Sequence, residues 1–574
     1  MAHRGAGGGD LSMRLALLLS AALLLRLWGT GHGYPDCVAA DERPVIMDAV
    51  RFVTDGTLEP AHLNYPDLFS YLFSLGLYLA HGLGWLLDVG SAGLSVRLAH
   101  YFAPVQVALV GRLLSAAAGV GTVWLTFLVG RRAYGAASGL GGALFAAVSA
   151  ALVSQARFAL PDVTMALLAT AAYVPMVEIP RTGRWRDYAA AGLLVGLAMS
   201  AKYNAGIALA GLAAAHVLAL RREGGHWLDA RPLWAAVATA LGFLLGSPYW
   251  LVLPGPYWQA LLNVSSNMQF SLTGATWPHL ALLADLLLAE MGWGALALAG
   301  CAYAAWRRTP ADWIALAVLI PAFLYIGSWP KGGVHYALFC FPLAGLLAAR
   351  LVVERGGSRR GLWVGGALAV LSLPQVWTAL AQGARLRQPD VRQQAARWIE
   401  GHVPDGAAVG VYRLDYTPPL KGDIHRRLLR RLARDPAVDA AAAARLRQMD
   451  RQLRIYTQLT LEYMGDEPLV PPAYRAGVDL KDPKTRETFR RRWMEYDQLV
   501  EWGVRWVILP RAGYARFLKG EAPPPGTAAH YYFHRSRAYV KQFLDGEDGR
   551  FRLVQGFGSD AGTGDHLIGI YQVR

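Results

Sequence analysis

Charge is scarce in this chain and cysteine scarcer. Asp, Glu, Lys and Arg make up 17% of 574 residues, against about 25% in soluble globular proteins. The deficit is uneven, which excludes a single soluble globule. From Leu11 to Ala381 apolar blocks alternate with short arginine-rich breaks. From Gln382 onward the composition is that of an ordinary soluble domain. Two units follow: a membrane domain over 1–381 and a soluble domain over 382–574. The three cysteines, Cys37, Cys301 and Cys340, form neither a disulfide framework nor a metal-ligand cluster. No zinc spacing, phosphate-binding glycine loop or Ser-His-Asp order stands out. No metal site is assigned, and a divalent cation is the one cofactor left open.

What charge there is leans basic, with a net of +15. Nucleic-acid binding would need a basic stripe interleaved with aromatics, and none is present. The arginines instead cluster between apolar blocks: Arg131 and Arg132; Arg181, Arg184 and Arg186; Arg221, Arg222 and Arg231; Arg307 and Arg308; Arg355, Arg359 and Arg360. The stretch 251–280 has no Lys or Arg at all. That alternation follows the positive-inside rule and puts the basic loops in the cytoplasm. A bacterial cell (inner) membrane suits the high share of arginine.

Eleven membrane segments are expected, at about 12–29, 105–130, 136–153, 163–180, 188–201, 204–220, 232–251, 281–305, 312–328, 334–352 and 361–380. No small-residue cleavage site follows the first, so it reads as a retained helix. An odd count leaves the C-terminal domain extracytoplasmic. Leu68–Leu87 is apolar enough to span, but counting it would invert every later basic loop. It is assigned to the outer interface, inside a large first outer loop from about Thr30 to Pro104. Between Arg186 and Arg221, both basic and therefore cytoplasmic, the interval is slightly too short for two full crossings. The chain is expected to turn at "SAKYNAG", with Lys202 at or just under the outer surface.

Polar side chains gather on that outer side. Asp41 and Glu42 follow the first segment closely. Arg157 and Asp162 occupy the turn "RFALPD". Lys202 sits in an apolar hairpin, where a lysine needs a partner or must snorkel. Lys331, His335 and Tyr336 precede a late apolar helix in "KGGVHYALFCFP". Arg112 lies in the outer third of the second segment and needs an anion or carbonyls. Each alone has a plain explanation: a solvated acidic pair, a Pro-Asp turn, a snorkelling lysine, a wet histidine. Together they suggest a phosphate-binding surface beside a general base.

The order of these features resembles the membrane-embedded GT-C glycosyltransferases, specifically the glycosyltransferase family 39 group of protein O-mannosyltransferases and lipid A aminoarabinose transferases. The resemblance rests on "AADERP", "NYPDLFSYL", "GRLLSAAAGVGTVWLTFLVGRRAYG", "RFALPDVTMALL", "GLAMSAKYNAG" and "KGGVHYALFCFP", in that order, over roughly residues 12–380. One departure is Asp67, where many relatives have a second proline. The resemblance implies an α-helical polytopic membrane protein with a large first outer loop. It implies a polyprenyl-phosphate sugar donor, a lipid, glycan or protein hydroxyl acceptor, and reaction at the outer face among membrane lipids. By carry-over Asp41 is the catalytic acid residue, Glu42 its neighbour and Asp162 the second loop acid. Arg112, Lys202 and Lys331 hold the donor phosphate, with Arg157, His335 and Tyr336 nearby. Glu42 is expected to point away from the reaction and to matter less than Asp41.

The C-terminal unit reads as an extracytoplasmic α/β domain. "VRQQAARWIEGHVPDGAAVGVYR" gives a helix, a turn and a strand; "VRWVILP" and "HLIGIYQV" give further strands. An arginine-rich helical insertion is expected at about 421–500, solvated and without catalytic residues. Two rival readings exist. A transporter or flippase of lipid-linked sugars would place ionisable groups near the bilayer midplane and show internal repeats; neither is evident. A non-catalytic membrane assembly protein leaves the outer polar set unexplained.

Overall fold

The structure is a computed structural model that describes residues 6–86, 89–224, 229–269, 277–330, 332–356, 361–412, 416–462, 493–520, 522, 528–546, 549–559 and 566–574. The helices are α1 (Ala6–Leu27), α2 (Arg43–Thr54), α3 (Leu68–Gly82), α4 (Ala92–Phe102), α5 (Pro104–Tyr134), α6 (Ala136–Val148), α7 (Ala150–Gln155), α8 (Asp162–Met176), α9 (Ile179–Thr182), α10 (Trp185–Ala201), α11 (Leu209–Glu223) and α12 (Arg231–Gly246). They continue with α13 (Tyr249–Val252), α14 (Pro254–Gln269), α15 (Pro278–Ala289), α16 (Trp293–Arg307), α17 (Pro310–Ile326), α18 (Phe341–Gly356) and α19 (Gly361–Leu386). The C-terminal unit holds α20 (Val391–His402), α21 (Asp423–Leu432), α22 (Ala440–Gln452), α23 (Tyr496–Glu501), α24 (Arg511–Lys519) and α25 (Ala528–Asp545).

Each expected membrane segment contains a helix. Not all are long enough to cross alone. Among the described residues five helical stretches have the length and hydropathy of a span, and six if one bent pair counts as a single span. A crossing takes about 20 residues, and α6 has 13. The bent pair is α15 with α16, bent by 117° at the break between them, so the segment expected at 281–305 is not a straight rod. Glu290, at that bend, accepts from Ser149 Oγ at 2.6 Å and from the Ala151 amide at 3.1 Å. It thereby satisfies free N–H groups at the start of α7.

Local chemistry sets the long helices. Pro104 opens α5, where no N–H is needed. Arg131 and Arg132 fill its last turn, where cations complement the carbonyl end. Gly192 and Gly196 of α10 face α12 closely: a Cβ at either would lie 2.3 Å from Ala235 O or 2.1 Å from Thr239 O. That small-xxx-small stripe lets the two backbones touch. It fixes α10, whose far end carries Lys202.

The first outer loop is a packed subdomain. Val45, Ile46, Phe69, Phe73 and Val96 form a core with Val105 and Ala108 of α5. Helix α3 buries Phe69, Phe73 and Leu77 and exposes Leu72, Leu75 and Leu79.

The C-terminal unit is built on a five-stranded sheet of order β2-β1-β3-β5-β4. Its strands are β1 (Ala408–Val411), β2 (Thr457–Thr460), β3 (Trp506–Pro510), β4 (Phe551–Ser559) and β5 (His566–Val573). β1 runs parallel to β2 and β3, while β5 is antiparallel to β3 and β4. Two expectations change here. The range 421–500 supplies strand β2, so among its described residues it is not purely helical. Nor is it a solvated appendage: Leu429, Leu432 and Leu446 pack with Val89 and Leu98 of the outer loop. The unit also grips the loop just before Asp41. Arg392 donates to Val38 O at 3.0 Å, and Gln393 to Gly33 O and Tyr34 O.

Candidate active site

Lys202 is the centre of the cluster. Helix α10 stops at Ala201, and Lys202 is extended (φ −157°, ψ 129°) before a 3-10 turn, Tyr203–Ala208. That break aims the side chain at the first residue of α8. Lys202 Nζ lies 2.6 Å from Asp162 Oδ1, and both residues are buried. The carboxylate also sits in the first turn of its helix, where negative charge is favoured. Two aromatic rings flank the ammonium: Tyr336 with its centroid at 4.7 Å and Tyr65 at 5.7 Å. An ammonium has three donors, and Asp162 takes one.

The loop Asn64-Tyr65-Pro66 thus brings an aromatic side chain into the cluster. Burial holds the Tyr65 phenol well above its ordinary range, so it stays neutral and can donate a hydrogen bond. The His335 ring lies against that of Tyr336, tilted by 39° with centroids 4.0 Å apart. Asn204 Nδ2 donates to Tyr336 O at 3.4 Å. Asp41 lies within electrostatic range of Tyr65, His335 and Tyr336. It is exposed, so its carboxylate is open to a ligand.

Glu42 behaves differently from its neighbour. Ala40–Glu42 is a 3-10 turn, not an extended segment, and it sends Asp41 outward and Glu42 inward. Glu42 accepts from Arg112 Nε at 2.8 Å and Nη2 at 2.7 Å, from the Ala159 amide at 2.8 Å and from the Ala39 amide at 3.0 Å. Both members of the pair are fully buried. Burial alone would raise the Glu42 carboxyl, but the Arg112 fork and the Ala159 amide hold it below its ordinary value. Arg112 spends Nη1 on Thr30 O and His32 O.

This corrects two expectations about cations. Arg112 does not share a surface with Lys202; it staples the end of the first segment, the acidic turn and the α7–α8 turn together. Arg157 is likewise buried, with Nη2 tying Leu25 O at 3.0 Å to Ala379 O at 2.7 Å. Lys331 lies outside the described residues. Among those residues Lys202 is the expected phosphate-holding cation that the cluster retains. No three His, Cys, Asp or Glu side chains converge as a metal site among them.

Asp67 escaped the sequence reading except as an oddity. It is buried, and Tyr257 donates to its Oδ2 at 2.6 Å, while its amide donates to Ser247 Oγ at 2.8 Å. It locks the outer loop to the loop before α13 and to α14. Nothing local marks it, because Tyr257 is 190 residues away. Burial raises its carboxyl to about 6, against weaker lowering by Tyr257 and Ser247. The folded-state value exceeds the unfolded one, so the stability tied to the protonated form is complete below pH about 4 and is lost as pH rises through about 6. Asp67→Asn should therefore melt close to wild type at pH 4 and a few degrees higher at pH 7, read by tryptophan fluorescence in detergent. A difference that does not change between those pH values would overturn the assignment.

Comparison with known proteins bears on the fold and on part of the chain. Residues 97–251 match the family model of dolichyl-phosphate-mannose-protein mannosyltransferase; the match includes Asp162 and Lys202 but not Asp41 or Tyr336. No curated protein sequence matches the chain. Among solved structures, the oligosaccharyltransferase of Archaeoglobus fulgidus aligns with 96% of this chain and 80% of its own, at 13% identity and a TM-score of 0.53. ArnT from Cupriavidus metallidurans bound to undecaprenyl phosphate aligns with 88% of this chain and 95% of its own, at 15% identity and a TM-score of 0.52. A complex of the archaeal AglB with an inhibitory peptide and a dolichol-phosphate gives 13% identity and a TM-score of 0.52, over 96% of this chain and 80% of that one. The chain has the fold of the membrane-embedded GT-C glycosyltransferases, and over residues 97–251 it matches the dolichyl-phosphate-mannose-protein mannosyltransferase family.

Proposed function

We propose that the chain is an inverting glycosyltransferase that moves a sugar from a polyprenyl-phosphate donor to a hydroxyl acceptor at the outer face of the cytoplasmic membrane. The observation that carries this reading is the Lys202–Asp162 pair, buried between Tyr65 and Tyr336 within electrostatic range of an exposed Asp41.

The roles follow from charge. The acceptor hydroxyl attacks the anomeric carbon as the bond from that carbon to the phosphate oxygen breaks. The hydroxyl proton passes to Asp41, a carboxylate open to the acceptor. The lipid phosphate leaves with its negative charge, which needs a fixed cation nearby. Lys202 has donors left for it after Asp162, and Asp162 keeps the ammonium charged and aimed. Direct displacement inverts the anomeric centre. Tyr65 and Tyr336 wall the ammonium with ring faces, so a bound phosphate meets it with little competing water.

Lys202→Ala tests this. Binding of undecaprenyl phosphate to the purified chain in detergent should weaken at least about tenfold, the worth of one charge-assisted hydrogen bond. Asp162→Asn should weaken it less, because the lysine remains. Unchanged lipid-phosphate binding by Lys202→Ala would return Lys202 to a structural partner of Asp162.

A further inference from the structure

A cavity of about 700 Å³ opens between the first outer loop and the C-terminal domain. Its walls come from α2, α4 and α21, none of them a membrane segment. Arg51, Arg97, Arg427 and Arg431 line it, together with His62 and His100. Asp55 answers both Arg51, at 3.8 Å, and Arg97, at 3.1 Å. Arg427 pairs with Asp423 at 2.8 Å across an exposed helix turn, where an ion pair is weak and screened. His62 Nδ1 lies 3.1 Å from Asp48 Oδ1. Arg431 is exposed and has no acidic partner among the described residues. The Nδ1 of His100 is buried without a hydrogen-bond partner. A buried ring nitrogen left this way is costly unless a ligand or water meets it.

The cavity also lies close along the chain to the candidate active site. Ala61 and His62 line it, and three residues later Tyr65 flanks Lys202. Along α2, Arg51 is about 12 Å from Arg43, two residues past Asp41. A ligand held at the arginines could present a hydroxyl at Asp41 without leaving the outer loop.

Resting on the transferase reading above, we infer that this cavity holds an oxyanion-bearing part of the acceptor, a phosphate or carboxylate on a glycan. Guanidinium groups match either anion. Met47 and Ile424, both exposed, add apolar walls beside the charged lining. Peptide main chain is a poorer fit. The polar lining is four guanidinium and two imidazole groups beside Thr54, Asp55 and Tyr101, and the Ala61 amide is already spent on Asp48 Oδ1 at 2.9 Å.

Titration calorimetry on the full chain in detergent tests the site, with inorganic tripolyphosphate, tetragalacturonate and hexaglutamate as probes. Tripolyphosphate or tetragalacturonate should bind, and Arg427→Gln/Arg431→Gln should weaken that binding at least tenfold. Both residues are exposed, so the fold should stand. Arg434→Gln/Arg447→Gln, in the turn after α21 and on α22, outside the cavity, should bind as wild type does. Tighter binding of tripolyphosphate assigns a phosphate; tighter binding of tetragalacturonate assigns a carboxylate. Binding of neither anion, an equal loss in the control variant, or preference for hexaglutamate would overturn the inference. Undecaprenyl phosphate binding measured in parallel should be unchanged in Arg427→Gln/Arg431→Gln, and its loss there would also count against a separate site. If Lys202→Ala leaves lipid-phosphate binding intact while the arginines still bind the anion, the transferase reading fails and the anion site stands.

Discussion

Glu42→Gln is expected to destabilise the membrane domain by about 3–5 kcal/mol, the range for removing one member of a buried ion pair. The glutamine leaves the Arg112 guanidinium charged, with no solvent exposure and no counter-ion. The melting temperature in detergent should fall on the order of 10 °C, followed by the intrinsic fluorescence of the chain's 19 tryptophans. Arg112→Met should do comparable damage. Glu42→Gln with Arg112→Met removes both charges and should be more stable than either single variant, because the orphaned charge is gone. Additive losses in the double variant, or a melting point within about 2 °C of wild type for Glu42→Gln, would mean that the pair does not hold this corner of the fold.

That expectation reverses the reading available from sequence, and the reason is physical. Asp41-Glu42 is legible as an acidic pair just beyond a membrane segment. Which of the two faces water depends on the 3-10 turn that carries them, and no local signal in "AADERP" announces that turn. Arg112 is legible as a cation that needs an anion. Its partner lies 70 residues away, and a lipid phosphate satisfies the same requirement on paper. Arg157 is likewise buried: its Nη2 donates to carbonyls of α1 and α19, helices far apart in the sequence. Lys202 was legible because two basic ends and a short apolar interval force a turn there. Most helices were legible from hydropathy, since long apolar runs between arginine clusters have few other solutions. The bend between α15 and α16 was not, because both arms are apolar and Glu290 is satisfied by residues far back in the chain. The three strands that were found, β1, β3 and β5, are compact apolar runs. β2 was hidden inside an arginine-rich stretch, at the sheet edge, where polar residues are tolerated.

The companion experiment is Asp41→Asn, which should leave folding, membrane insertion and undecaprenyl phosphate binding unchanged while lowering sugar transfer at least about 10²-fold, the smaller end of what a positioned base contributes. The two adjacent acids thus part company by readout. Glu42 is fixed inside by Arg112 and two amides, and that anchoring sets the turn from which Asp41 projects. Asp41 is exposed and so adds little to stability, but it is the carboxylate left open to take a proton from an attacking hydroxyl. Transfer of labelled sugar from a polyprenyl-phosphate donor, assayed beside melting temperature and lipid-phosphate binding, separates the cases. Loss of transfer with both controls intact fits a general base. Loss of transfer together with a drop in melting temperature would place Asp41 in the same structural role as Glu42. Near wild-type transfer would remove the base assignment and pass it to Asp162, whose pairing with Lys202 would then have to open during the reaction.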